Sequence, residues 1–137
     1  MLLNTSEIKY YKFEEGGVKM GEFNENAVEV QKCVENLALK SRMLSFYPEA
    51  ISRRLGISLD IIIIELNKLC SDGFLELKYE IKCSDNFDIV ETVQSYKEYI
   101  GNSVTCSQCG EIFEVGYNNI YPVYFISKGY REYLKKK

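Results

Sequence analysis

The sequence predicts an α+β fold: a helical unit with a helix-turn-helix signature, followed by a small antiparallel β module. Three observations predict it. Apolar residues recur at helical spacing as far as residue 71, residues 75–83 alternate strictly between apolar and charged, and the chain beyond residue 83 breaks into short β-prone runs around a Cys-x-x-Cys pair. The 137 residues suffice for one domain or two very small ones, and 46% apolar against 27% charged residues excludes a disordered chain.

Composition also removes whole classes of function. The longest apolar run is Ile61-Ile62-Ile63-Ile64, far short of a membrane span. The first residues, Met1 to Glu7, lack the basic and apolar regions of a secretory signal. With no histidine in the chain, Ser-His-Asp and Cys-His catalysis, histidine general bases and histidine metal ligands are excluded together. There is no Gly-rich phosphate loop and no pair of carboxylates on a rigid element, so the expectation is a non-enzymatic protein without a small-molecule substrate. Five cysteines, an odd number without a signal, fit a reducing cytoplasm. The net charge of −3 is uneven: residues 83–126 carry one Lys against six Asp/Glu, whereas residues 127–137 carry five Lys/Arg against one Glu. Only this tail has the basic excess that phosphate binding needs.

Each element follows from local pattern. Residues 7–13 and 18–23 flank Gly16-Gly17, which suggests a hairpin in the N-terminal extension. Asn24 or Asn26 caps a first helix whose stripe is Ala27, Val30, Val34, Leu37 and Leu44, with Cys33 a small buried hydrophobe beside it. Pro48 suits the first position of a second helix, which Gly56 ends. Ser58 caps a third, Leu59 to Ser71, stopped by Gly73. In the strand after it, Leu75, Leu77, Tyr79, Ile81 and Cys83 face one side and Glu76, Lys78, Glu80 and Lys82 the other, with no turn residue to make a hairpin inside it. Short strands are expected at 89–93, 104–106, 112–115 and 121–126, the last confined by Pro122 to an edge or a strand start. Ser127 caps a final basic helix.

Ile51-Ser52-Arg53-Arg54-Leu55-Gly56-Ile57-Ser58, followed by a helix ending Leu69-Cys70-Ser71-Asp72-Gly73-Phe74-Leu75, resembles bacterial winged-helix proteins. Cys83 and Cys106-Ser107-Gln108-Cys109-Gly110 resemble a zinc ribbon fused to the wing strand. The resemblance spans about residues 26–126 and implies the division 1–24 extension, 25–82 winged helix, 83–126 zinc-ribbon-like module and 127–137 basic helix. Proteins of this form act as regulators or as accessory proteins of bacterial defence systems. A full ribbon has two Cys-x-x-Cys knuckles. Here the first reads Cys83-Ser84-Asp85-Asn86, so Asn86 stands where a thiolate is expected. Cys83, Cys106 and Cys109 remain as metal ligands, with Asp85, Asp88 or water as the fourth. One bound zinc, and a relic ribbon held by its strands alone, both stay open.

The third helix decides the functional expectation. Ile62, Leu66, Leu69 and Cys70 make its core stripe, which turns Ile61, Ile63, Ile64, Asn67 and Lys68 outward. Isoleucines bring no hydrogen-bond donors to a DNA groove, and Asp60 repels phosphate. Contiguous apolar surface marks protein contact. The expected function is therefore an adaptor or accessory subunit that uses Ile61, Ile63 and Ile64 against a protein partner or a second copy. The alternative is a DNA-binding transcriptional regulator using Arg53, Arg54, Asn67 and Lys68. Tyr121, Tyr124 and Phe125 could stack single-stranded bases, but the acidic surroundings oppose it.

Overall fold

The computed structural model describes residues 24–40 and 43–136; the expected N-terminal hairpin lies outside them. Helix α1 spans Glu25–Lys40. The Asn24 side chain accepts from the Ala27 amide at 3.2 Å, which satisfies one of the amides a helix start leaves unpaired. Strand β1 (Ser45–Phe46) leads into α2 (Pro48–Leu55) and α3 (Leu59–Ser71). Gly56 ends α2 at φ 68°, a left-handed conformation that costs glycine little. Leu44 is a correction to the predicted stripe. It is 71% exposed and lies beyond α1, where its carbonyl already accepts from the Ile126 amide at 2.9 Å to begin the sheet.

Strand β2 (Leu75–Lys82) is continuous, as its alternation predicts, and β3 (Ile89–Val93) returns beside it. After a 3-10 turn at Lys97–Tyr99 come β4 (Ser103–Thr105) and β5 (Ile112–Glu114), which pair only with each other. A second 3-10 turn at Tyr117–Asn119 precedes β6 (Ile120–Ile126) and α4 (Lys128–Lys135). The four-stranded sheet is antiparallel with order β1-β6-β2-β3. The described chain is thus an α+β fold of four helices and an antiparallel sheet.

Strand β6 departs from expectation twice. The resemblance joins the expected strand 121–126 to the cysteine-bearing module, yet β6 pairs along β2 from Leu75↔Ile126 to Ile81↔Ile120 and so closes the sheet under the helices. Residues 83–119 are consequently an insertion between two paired strands. Pro122 also sits in an inner strand. It is tolerated because β1 reaches only Tyr124 and Phe125, so at Pro122 the flank away from β2 is still an edge.

Two apolar clusters result. Val30, Val34 and Leu37 of α1, Ile51 of α2, Ile62, Leu66 and Leu69 of α3, and Tyr124, Ile126, Tyr130 and Leu134 form the larger. Ring stacking of Phe74 on Tyr130 at 4.3 Å joins α4 to it, and the Arg131 guanidinium donates to the Ala38 and Met43 carbonyls, which pins α4 to the end of α1. Ile81 at the end of β2 and Cys83, Cys106, Phe113 and Val115 of the insertion form the smaller cluster. On the opposite face of β2, Glu80 is buried despite its place in the charged half of the alternation. The Tyr47 hydroxyl donates to it, and Lys82, 3.9 Å from Glu80, lies over the Tyr47 and Tyr121 rings at 4.6 Å each.

Candidate functional site

The insertion begins and ends at a sheet, and its two tight turns are built alike. In the first, the Phe87 amide donates to the Cys83 carbonyl at 3.1 Å and the Cys83 amide donates to the Asp88 carbonyl at 2.9 Å. In the second, Gly110 donates to Cys106 at 2.8 Å and Cys106 donates to Glu111 at 2.9 Å. Phe87 and Gly110, five positions along from the two leading cysteines when these are counted as the first, both have positive φ, at 61° and 78°. The turns are therefore two copies of one backbone, Cys83-x-x-Asn86-Phe87 and Cys106-x-x-Cys109-Gly110. The second uses glycine for the left-handed residue, and the first forces a phenylalanine into it.

This repetition brings the predicted ligands together. The sulfurs of Cys83, Cys106 and Cys109 all lie within 4.8 Å of one another, and Cys83 Sγ is 3.6 Å from Cys109 Sγ. A disulfide would need about 2.05 Å. Two thiolates on one tetrahedral zinc, each about 2.3 Å from the metal, stand about 3.8 Å apart, so the observed spacing is that of neighbouring ligands. Cys83 and Cys106 are buried and Cys109 is exposed. The Asp85 amide donates to Cys83 Sγ at 3.4 Å.

The electrostatics suit a cation. The Cys109 amide, with that of Gln108 and despite desolvation, holds the Cys106 thiol below its usual range. At Cys109 the Glu111 amide acts in the same direction, but desolvation and the adjacent Cys83 and Cys106 sulfurs outweigh it and push the thiol up to about 11. Three sulfurs this close cannot all ionise alone; a divalent cation removes that repulsion and replaces the proton.

The carboxylates behave otherwise than expected. Neither Asp85 nor Asp88 joins the sulfur cluster. Asp88 is engaged by Asn86, whose Nδ2 donates to its Oδ2 at 3.0 Å while Asn86 Oδ1 accepts from its amide at 3.0 Å. Asn86 itself is beside the cluster, with Oδ1 3.9 Å from Cys106 Sγ. Sequence spacing had marked Asn86 as the vacant ligand position but not its closeness to the sulfurs.

Asn119 locks the insertion to the sheet and was not singled out from the sequence. Its buried side chain donates to the Lys82 carbonyl and to Ser84 Oγ, both at 2.9 Å, and accepts from the Gly116 amide at 2.9 Å. Nothing in a lone Asn-Asn turn announces that role.

On α3 the expected surface is sorted unevenly. Ile62 is fully buried, Ile61 and Ile64 are 36% and 55% exposed, and Ile63 is half-buried, so Ile63 belongs less to the predicted surface than its neighbours. The two polar residues proposed for a DNA groove are both engaged. Asn67 Oδ1 accepts from the buried Tyr124 hydroxyl at 2.8 Å, and Lys68 Nζ lies 3.3 Å from buried Glu65. Arg53 and Arg54 are exposed at the end of α2. Among the described residues no helix is long and apolar enough to cross a membrane. No protein-family model, no curated protein and no solved structure matches the chain.

Proposed function

We propose that this chain is a non-enzymatic winged-helix adaptor that binds a protein partner through α3 and carries a zinc module at the tip of its wing. In this reading α1, α2 and α3 are the three helices, β2 and β6 the wing strands, and residues 83–119 an elaboration of the wing that one zinc holds together through Cys83, Cys106 and Cys109. The order helix, short strand, helix, helix, two long antiparallel strands supports the winged-helix assignment.

The observation that carries the function is the state of α3. Its exposed face offers Ile61 and Ile64 in the first turns, while Asn67, whose Oδ1 accepts from the Tyr124 hydroxyl, and Lys68, paired with Glu65, come late in the helix. A helix that reads DNA presents donors near its N-terminal end; α3 presents isoleucines there, the apolar area that docking on protein needs. A role beside a bacterial defence system, or as a regulator, follows from the resemblance alone.

The test pairs association with DNA binding. Ile61→Glu and Ile64→Glu should abolish capture of the native partner, or self-association in sedimentation, with helical circular dichroism unchanged. Wild-type protein should leave random duplex DNA unshifted in a low-salt gel. A shift that Arg53→Glu and Arg54→Glu remove, with association untouched by the isoleucine variants, would establish the transcriptional regulator instead.

A further inference from the structure

We propose that Asn86 is the fourth ligand of the metal site, binding through Oδ1, so that the centre is three thiolates and one neutral amide. This rests on the zinc reading above and goes beyond it by naming the ligand that spacing leaves vacant.

Three observations converge on Asn86. The duplicated backbone places it where Cys109 stands in the other turn, fourth from the leading cysteine and just before the left-handed residue. Two turns of one shape facing each other present equivalent positions to one point, as the sulfurs of Cys83, Cys106 and Cys109 already show. The distance agrees. Zinc bonds of about 2.3 Å to sulfur and about 2.1 Å to oxygen at a tetrahedral angle put those two atoms about 3.6 Å apart, and Asn86 Oδ1 is 3.9 Å from Cys106 Sγ. Finally, the amide is held. The Asp88 amide requires an acceptor and the Asp88 carboxylate a donor, so both hydrogen bonds fix which end of Asn86 is oxygen. The second lone pair of Oδ1 faces Cys106, whose thiol donates to it at 3.9 Å; a metal that takes the place of that thiol proton would take the same lone pair. Asp88, expected as a ligand, becomes a positioning residue: it orients the ligand, as outer partners commonly do around metal sites.

The charge of such a centre differs from that of a four-cysteine ribbon. Zn²⁺ with three thiolates and an amide carries −1, and with four thiolates −2. Residues 83–126 already hold six acidic residues against one Lys, so the neutral ligand limits local repulsion. It also binds less tightly than a thiolate, which makes the fourth position the one that an incoming ligand would displace.

Cobalt(II) titration of the full chain, read by visible absorption and by competition with zinc, tests this. Wild-type protein should take up one Co²⁺ with tetrahedral bands. Asn86→Ala should weaken binding on the order of 10–100-fold and shift those bands. Asn86→Cys should tighten binding and raise the sulfur-to-cobalt charge-transfer intensity by about a third, as four thiolates replace three. Asp88→Ala should weaken binding less than Asn86→Ala and be partly rescued by Asp88→Asn, which retains an acceptor. If Asn86→Ala binds like wild type with unchanged bands, Asn86 is not a ligand, although the three-cysteine site stands. If the same result comes with an Asn86→Cys variant that adds no charge-transfer intensity, position 86 does not face the metal at all. If wild-type protein binds neither Co²⁺ nor Zn²⁺, this inference and the zinc reading fall together.

Discussion

Among the described residues, fifteen buried residues from all four helices and three strands close the cluster under the sheet, whereas the smaller cluster has five, Ile81 of β2 and four from the insertion, two of them cysteines. The larger cluster can be stable by burial alone, since side chains such as Ile51, Ile62 and Leu66 are removed from water almost completely. The insertion has far less to draw on. Its two turns and the three-residue strands β4 and β5 bury little, so under the proposed zinc reading a metal supplies the order that packing does not. What the contrast teaches is that one antiparallel strand pair, β2 with β6, joins two unlike clusters: a broad apolar one at the end near the helices and a small one with three gathered cysteine sulfurs beside it at the other.

The comparison breaks most easily with a pair of perturbations. Leu66→Ala should cost about 2–5 kcal/mol of global stability, the usual range for truncating a fully buried leucine. Chelation should do the reverse and act locally. Amide exchange should accelerate across residues 100–115 while α3 stays protected, because the larger cluster contains no metal ligand. Segment-resolved hydrogen exchange measures both. If chelation unprotects α3 to the same degree, the two regions are one cooperative unit and the division fails.

Much of this layout was legible because it depends on periodicity. The stripe through Val30, Val34 and Leu37, the caps at Asn24, Gly56 and Ser127, and the alternation of β2 are all local signals, and each is where it was expected. The gathering of three sulfurs was legible from ligand spacing. Pairing was not. The run Tyr121 to Ile126 announces a strand but not its neighbour, so nothing local places residues 83–119 as an insertion inside a strand pair. Nor does charge pattern show that Glu80 is covered by Tyr47 and Lys82, or that Tyr124 reaches Asn67 across 57 residues. The same limit holds around the sulfurs: by chemistry Asp85 and Asp88 are better partners for a cation than Asn86, yet it is Asn86 whose Oδ1 lies 3.9 Å from Cys106 Sγ.

A smaller effect sharpens the boundary between the regions. Asn119→Ala should destabilise by about 1–3 kcal/mol, since it leaves the Gly116 amide and the Lys82 carbonyl without this partner in a buried place. Denaturant unfolding with and without zinc reads it. A junction residue should cost about the same in both conditions, whereas a residue that matters only to the metal centre should cost nothing once the metal is gone.

The smallest effect concerns the one non-glycine residue with positive φ among those described. Phe87 occupies the left-handed position that Gly110 fills in the twin turn. A side chain there costs about 1–2 kcal/mol, and with Phe87 62% exposed its ring recovers little of that by burial. Phe87→Gly should therefore relieve the strain. The more flexible unfolded chain takes back about 0.5–1 kcal/mol, so a net gain of up to about 1 kcal/mol is expected in thermal unfolding of the zinc-loaded protein. Gly110→Ala is the mirror change. A Cβ at Gly110 would meet nothing within 4 Å, so no clash adds to the backbone strain; with the unfolded-chain term reversed as well, the net loss should match the gain at Phe87 in size with opposite sign. If Phe87→Gly instead destabilises, the exposed ring is making a contact worth more than the strain, and the two turns are alike in shape but not in what holds them.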